Sequence, residues 1–250
     1  MEYSMTTPIS ISVSSISKKL GVNHALDRTS VEFTSGVLHG LIGPEGAGKT
    51  TLLRTVMGLL KPDQGKLTYL EDDKPVEFAR VRPSMAYMPQ QQSLYPDLSI
   101  AEHLEFFQEL YQIPEKTYQE RSENLLQITR LSKFRDRPAG KLSGGMYKKL
   151  GLMCALLQSP NAILLDEPTN GVDPISRREF WDLLYGLLST RILIIVATAY
   201  MDEAERCGQV HLLSAGQMIA SGEPRALLDA EKVPSIDALF IKREGGRPTS

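Results

Sequence analysis

One stretch of the sequence has the residue types and the spacing that bind a polyphosphate. It reads Gly43, Pro44, Glu45, Gly46, Ala47, Gly48, Lys49, Thr50 and Thr51. The glycines let successive backbone N–H groups converge on one point, and the flanking apolar residues predict a strand before the loop and a helix after it. The positive end of that helix dipole favours phosphate oxygens. We therefore expect Lys49 to reach the β- and γ-phosphates of a nucleotide and Thr50 to offer its hydroxyl to Mg2+.

Two adjacent carboxylates, Asp166 and Glu167, form a second group of residues that could carry chemistry. They follow four apolar residues, 162–165, which predict a buried strand, and α/β sheets bind ligands at the carboxyl ends of their strands. An exposed acidic pair usually only contacts solvent, whereas a pair beside the core needs compensation for its buried charge. We therefore expect Asp166 to hold the water shell of Mg2+ beside Thr50, and Glu167 to orient or deprotonate the water that attacks the γ-phosphate.

A second helix start could also hold phosphate oxygens. Its residues are Leu142, Ser143, Gly144, Gly145 and Met146. Ser143 is a helix N-cap by type, and the apolar spacing after it predicts a helix. Because these five residues include no lysine, their hold on an anion is weak, and we expect them to assist at a nucleotide that is bound mainly elsewhere.

The elements that must position these residues begin with a β-rich region. Strands are predicted at 9–16, 31–33, 37–41, 66–70 and 85–88. The first of them look like an antiparallel flap. We also predict a helix over 52–60, a solvated loop at 71–75 and a hinge at 89–92, where a proline precedes three amides.

Between 98 and 133 the pattern becomes helical. Ser99 and Glu102 form a capping box at the start of one helix, and a second helix is predicted over 116–131. Helices that lie between two β-rich regions predict an inserted helical subdomain. Its aromatic residues are typical of a core, and one edge could instead dock a partner helix.

After the carboxylates, the chain returns to strands. Asp173 is predicted to cap a helix over 175–188 with Pro174 as its first residue. The β-branched run 192–196 predicts a buried strand that delivers 198–200 to the same sheet edge. Further strands are predicted at 210–213 and 217–220, and a tail or linker at 243–250.

Composition narrows the class of protein. The chain has 250 residues and a net charge of −2, which fits one large domain and indicates no nucleic-acid partner. Its most apolar run, 192–199, is too short to cross a bilayer, and we expect a soluble protein in a reducing cytoplasm. The two cysteines, Cys154 and Cys207, do not suggest a disulfide or metal site, and neither does the spacing of the histidines.

In their order along the chain, the phosphate loop, Gln90, residues 142–146 and residues 165–169 resemble the ATP-binding cassette of ABC transporters. The resemblance covers nearly the whole chain. Residues 143–146 and 171–174 are most similar to bacterial exporters of drugs, antibiotics or lipids, in particular those with tandem cassettes. The resemblance implies ATP and Mg2+ as cofactors.

The resemblance also implies the fold. We expect an α/β P-loop NTPase of the ABC type, with a mixed sheet core, an antiparallel β flap and an inserted helical subdomain. A single domain would span 1–250, with a core lobe at 1–90 and 155–241, the helical subdomain at about 91–154, and a tail or linker at 242–250.

In this family two cassettes face head to tail. The resemblance therefore implies that residues 142–146 complete the ATP site of a second cassette, on the same polypeptide or another subunit. The loop Gly171, Val172 and Asp173 would cross the dimer. Gln90 would contact the γ-phosphate, the metal and the membrane partner, and coupling helices of a transmembrane permease would dock on the helical insert. The protein would lie on the cytoplasmic side of the plasma membrane, held there by the permease.

Three positions depart from the family's pattern. Ala199 stands where a histidine usually contacts the γ-phosphate, and we expect slow hydrolysis at this site. Leu20 aligns with an aromatic residue that stacks on adenine, a contact worth about 1–3 kcal/mol by analogy with base stacking. Met146 replaces a glutamine, which we expect to matter little.

Two other classes of function stay open. One is a soluble ABC ATPase of translation or DNA repair, although residues 52–141 contain no sustained heptads of the kind that repair proteins insert. The other is a nucleotide-sensing module that scarcely hydrolyses ATP. The exporter-like residues 171–174 favour transport.

Overall fold

The structure is a computed structural model, which describes residues 7–91 and 94–245. In chain order, its strands are β1 (Ile9–Leu20), β2 (Asn23–Phe33), β3 (Leu38–Ile42), β4 (Gln64–Glu71), β5 (Lys74–Val76), β6 (Met85–Met88), β7 (Ala162–Asp166), β8 (Leu193–Thr198), β9 (Gln209–Ser214) and β10 (Gln217–Gly222). Its α-helices are α1 (Lys49–Val56), α2 (Phe78–Val81), α3 (Ile100–Leu110), α4 (Glu115–Ile128), α5 (Gly144–Leu156), α6 (Pro174–Leu188), α7 (Pro224–Glu231) and α8 (Ile236–Gly245).

The larger sheet brings the predicted site together. Its strand order is β10, β9, β3, β8, β7, β6, and all neighbouring pairs are parallel except β10 with β9. Ile42 pairs with Thr198, and Asp166 pairs with Ala197, so β3, β7 and β8 end at one edge. The loops that leave these strands therefore meet at that edge, where α/β sheets bind ligands.

The smaller sheet has the order β2, β1, β4, β5 and is antiparallel throughout, as predicted for the flap. Side chains alternate across the larger sheet, so each of its faces has its own apolar core. Leu164 and Ile195 face the core shared with α1 and the smaller sheet. Leu165 and Val196 face the core shared with α5, α6 and α8.

The capping box that begins the helical subdomain is confirmed. The Ser99 hydroxyl accepts from the Glu102 backbone N–H at 3.2 Å, and the Glu102 carboxylate accepts from the Ser99 N–H at 2.7 Å. Lys149 of α5 joins this subdomain to α6 through a 2.6 Å ion pair with Glu179. This contact holds α5 against α6.

The prediction of a loop at 71–75 is wrong. The chain instead forms a hairpin there, because β4 continues to Glu71 and β5 begins at Lys74. The turn residues Asp72 and Asp73 have φ of 49° and 61°. Aspartate tolerates this left-handed region, so the turn closes without the glycine that would have marked it in the sequence.

Two predicted boundaries also need correction. The helix predicted over 52–60 begins earlier and ends at Val56, since the backbone reverses at Gly58, whose φ is 68°. The tail predicted from residue 242 begins later than expected, because α8 continues to Gly245. The rest of that tail, 246–250, lies outside the described residues, as does Gln92 of the predicted hinge.

Two histidines that the sequence left unassigned lie against each other in the core. Nδ1 of His39 is 3.0 Å from Nε2 of His211, and burial lowers the pKa of His211 to about 3. Cys154 and Cys207 are both buried and free. Across residues 7–91 and 94–245, no helix has both the length and the apolar character to cross a membrane.

Candidate nucleotide-binding site

The phosphate loop joins β3 to α1, and packing requires two of its glycines. A Cβ on Gly43 would lie 2.1 Å from the Leu213 carbonyl oxygen, and one on Gly48 would lie 2.3 Å from that of Ala25. Gly48 also has φ of 106°, a conformation that other residues rarely adopt. The loop therefore curls tightly over the start of α1, where unpaired N–H groups and the helix dipole favour an anion.

Lys49 begins α1 and points back into the loop. Its ammonium donates to the carbonyl oxygens of Gly43 at 2.7 Å and Pro44 at 3.0 Å. Its Nζ is also 3.1 Å from Oε1 of Glu167, and both side chains are less than one-tenth exposed. The structure thus brings together a cation from the phosphate loop and a carboxylate from the end of β7, which are separated by 118 positions (167 − 49) in the sequence.

Thr50 and Asp166 meet as the sequence predicted. The Thr50 hydroxyl donates to Oδ1 of the fully buried Asp166 at 3.1 Å. These are hard oxygen donors of the kind that Mg2+ prefers, so the residues present fit this metal. Gln90 lines the same cavity as Lys49 and Thr50, which has a volume of about 420 Å³.

Glu167 has an unusual backbone conformation, with φ of 49°. Its N–H donates to the Ala197 carbonyl at 2.9 Å, and its Oε2 accepts from the Ala199 N–H at 3.3 Å. A non-glycine residue in the left-handed region costs free energy, and such residues concentrate at functional sites. Here the conformation turns the carboxylate out of β7 towards Lys49.

Sequence reasoning missed two side chains that hold these groups. Tyr87 donates its hydroxyl to Oδ2 of Asp166 at 3.0 Å. Lys148 of α5 donates to the backbone oxygens of Gln90 at 3.3 Å and Glu167 at 3.4 Å, and burial lowers its pKa. Tyr87 could have been found as the one polar residue of the strand 85–88, whereas no local pattern in the sequence marks Lys148.

The helix start at 142–146 has the predicted cap but lies away from the phosphate loop. The Ser143 hydroxyl accepts from the Met146 N–H at 3.3 Å, and both Ser143 and Gly144 are exposed. Within the described part of the chain, none of these five residues lines the 420 Å³ cavity. Gly145 instead packs on α6, because a Cβ there would be 2.4 Å from that of Ser176.

The loop 171–173 lies beside this helix start. A Cβ on Gly144 would be 3.5 Å from the Gly171 carbonyl oxygen. Asp173 caps α6 as predicted, accepting from the N–H groups of Ile175 at 3.1 Å and Ser176 at 3.0 Å. The structure thus places the two predicted dimer segments together on one exposed surface.

Leu20 lies at the end of β1 and lines the cavity at its outer side. It is 47% exposed and offers an apolar surface without an aromatic ring. His24, which sequence reasoning did not assign to the site, lines the same cavity from the next strand. The wall beside Leu20 is therefore built by the β1–β2 hairpin.

The glycine loop lies between a parallel strand and a helix, and its lysine is paired with a glutamate at the end of another strand. This combination defines a P-loop nucleotide-binding protein. A family model described as "ABC transporter" matches residues 26–170. The chain belongs to the ABC transporter family.

Two curated relatives illustrate the similarity. Over 193 residues, the chain is 45% identical to the probable multidrug ABC transporter ATP-binding protein YbhF of Escherichia coli, covering 77% of this chain and 33% of that protein. Over 227 residues, it is 36% identical to Nod factor export ATP-binding protein I of Ralstonia nicotianae, covering 90% of this chain and 70% of that protein. The chain thus spans only a third of the length of YbhF.

Solved structures show the same fold. An ATP-binding subunit of an ABC transporter matches with a TM-score of 0.81 and 26% identity, covering 96% of this chain and all of the other. CbiO1 from Clostridium perfringens, part of the ABC transporter complex cbiONQ, matches with a TM-score of 0.78 and 28% identity, covering 89% of this chain and 91% of the other. The predicted α/β fold of the ABC type is therefore confirmed.

Proposed function

We propose that this chain is the ATP-hydrolysing cassette of a membrane exporter. The observation that carries the proposal is the buried contact between Lys49 and Glu167, whose charged atoms are 3.1 Å apart. A γ-phosphate bound by Lys49 would lie within reach of a water held by Glu167, as in-line hydrolysis requires. Steady-state ATP hydrolysis tests this. We expect Glu167→Gln to bind ATP without hydrolysing it, and hydrolysis at the wild-type rate would refute the role of Glu167.

The proposal includes a Mg2+ ion, which neutralises charge on the β- and γ-phosphates when bound. Thr50 and Asp166 would hold it, since their oxygens are 3.1 Å apart beside the loop. Gln90 is the third candidate ligand and also the candidate contact to the γ-phosphate. The loop amides and Lys49 would bind phosphate oxygens, and Glu167 would orient or deprotonate the attacking water.

We further propose that the cassette works in a head-to-tail pair. Support comes from the helix start at Ser143, which is exposed and where the N-terminal end of the helix could bind an anion. Ser143 does not line the 420 Å³ cavity of its own chain. A second cassette could present its phosphate loop there, with Gly171, Val172 and Asp173 between the two. That second cassette could belong to the same polypeptide or to another subunit.

Within such a pair, this chain's own site would be slow. Oε2 of Glu167 accepts a hydrogen bond from the backbone N–H of Ala199 at 3.3 Å. The alanine side chain itself offers no polar group to the γ-phosphate. Leu20 offers no π-face to adenine, which would lower affinity as well. The lack of a polar side chain at position 199 also supports a second candidate function, which is a nucleotide sensor with little hydrolysis.

The partner in the membrane would be a permease subunit. A groove of about 960 Å³ separates β6 from the loop between α3 and α4, and coupling helices would dock there. The names of the relatives, multidrug transport and Nod factor export, support an exporter. The cassette would then lie on the cytoplasmic side of the plasma membrane without a nucleic-acid partner.

The domain boundaries follow from the same proposal. Residues 1–90 and 155–241 would form the core lobe of a single ABC ATPase domain, and about 91–154 would form the helical subdomain. Lys148 would connect the helical subdomain to the core lobe through its hydrogen bonds to the backbone oxygens of Gln90 and Glu167.

A further inference from the structure

The carboxylate proposed to hold Mg2+ is fixed from both sides by hydroxyl groups. Oδ1 of Asp166 accepts from Thr50 at 3.1 Å, and Oδ2 accepts from Tyr87 at 3.0 Å. Asp166 itself is fully buried. Because each oxygen has its own donor, the plane of the carboxylate is determined by Thr50 on α1 and Tyr87 on β6 together.

The strand register explains how Tyr87 reaches this carboxylate. Tyr87 pairs with Leu164 of the neighbouring β7, so the two side chains lie on the same face of the sheet. Asp166 is two residues beyond Leu164 and therefore lies on that face as well, next to α1. A phenylalanine at 87 would fill the same space but would leave Oδ2 without this donor.

We propose that Tyr87 is a positioning residue for the Mg2+ site: by holding Oδ2 of Asp166, it keeps Oδ1 and the Thr50 hydroxyl aimed at the metal of bound Mg-ATP. This inference rests on the Mg2+ assignment made under the proposed function. Groups that orient metal-binding side chains typically contribute about 10- to 100-fold to metal affinity. Loss of the Tyr87 hydroxyl is therefore expected to weaken metal binding by at least about tenfold.

Tyr111 provides a matched control. Both tyrosines line the 960 Å³ groove, and both are partly buried. Tyr111 follows α3 and is not bonded to Asp166. Comparing Tyr87→Phe with Tyr111→Phe in the full chain therefore separates the bond to Asp166 from the general effect of losing a half-buried phenol hydroxyl.

The test measures metal and nucleotide binding separately. Affinity for the β,γ-imido analogue of ATP is measured by calorimetry in the presence of EDTA. In a separate sample without EDTA, Mn2+ is titrated into the protein–nucleotide complex, and free Mn2+ is followed by electron paramagnetic resonance. We expect Tyr87→Phe to bind the analogue in EDTA like wild type and to bind Mn2+ about tenfold more weakly or worse, with Tyr111→Phe unchanged in both.

Four outcomes would overturn the inference. Wild-type Mn2+ affinity in Tyr87→Phe would mean that the hydroxyl does not position Asp166. If Tyr87→Phe also weakened analogue binding in EDTA by as much as it weakened Mn2+ binding, Tyr87 would only support the fold. The same conclusion would follow if Tyr111→Phe weakened Mn2+ binding as much as Tyr87→Phe does. If wild type binds the analogue but Mn2+ does not bind to that complex, the metal assignment in the proposed function fails, and the inference falls with it.

Discussion

The Nζ atom of Lys49 lies 3.1 Å from Oε1 of Glu167, and each side chain is almost completely removed from solvent. Each charge compensates the other in surroundings where an unpaired ion would be costly. The residues proposed to bind phosphate and to position the attacking water therefore form one buried ion pair, so the same variants test both stability and the proposed activity.

The first prediction concerns stability. Lys49→Met should lower the free energy of unfolding by about 3–5 kcal/mol, because it leaves the Glu167 carboxylate buried without its cation. Urea unfolding measures this. The double variant Lys49→Met/Glu167→Gln should recover most of the loss, and Lys66→Met, which removes an exposed lysine, should have little effect. Equal stability of Lys49→Met and wild type would contradict the role assigned to the pair.

The second prediction concerns pairing. Glu167→Gln should retain ATP binding and accumulate as a dimer with two nucleotides enclosed, because both phosphate contacts survive while the water loses its carboxylate. Light scattering at saturating Mg-ATP, with the natural partner cassette present, gives the molar mass. A particle that stays monomeric under these conditions would rule out the head-to-tail arrangement.

The third prediction concerns the adenine wall. Leu20→Tyr should tighten ATP binding about tenfold, since stacking of a base on an aromatic ring contributes about 1–3 kcal/mol. Val22→Tyr is the control, because Val22 belongs to the same hairpin, is 93% exposed and does not line the cavity. If both variants bind ATP like wild type, the base does not lie against Leu20.

The fourth prediction compares two helix caps. Ser143→Ala and Ser99→Ala should each cost about 1 kcal/mol in the free energy of unfolding, because each removes an N-cap acceptor. Only Ser143→Ala should also slow ATP hydrolysis by the cassette pair, since only Ser143 is proposed to contact the partner's nucleotide. Equal hydrolysis by the two variants would contradict that contact.

Much of this architecture could be predicted from the sequence because its signals are local. The glycine spacing before Lys49, the cap at Ser99 and the apolar run before Asp166 each specify an element and its edge. Tyr87 is marked in the sequence as the one polar residue of its strand, but its bond to Asp166 depends on strand register and could not be predicted. The contacts of Lys148 depend on where α5 lies relative to Glu167, and no local pattern specifies that. The hairpin at Asp72 was missed because aspartate adopted a conformation usually marked by glycine.

The most direct test of the central claim is the rate of ATP hydrolysis after Ala199→His. The claim is that this chain's own ATP site is slow because the alanine at 199 has no polar side chain for the γ-phosphate and contributes only its backbone N–H, which donates to Glu167. A positioned catalytic side chain typically contributes about 10²–10⁴ in rate, so Ala199→His should raise steady-state turnover at saturating Mg-ATP by at least tenfold. Ala199→Leu, which adds bulk without a polar group, should not. A wild-type chain that already hydrolyses ATP as fast as Ala199→His would contradict the account.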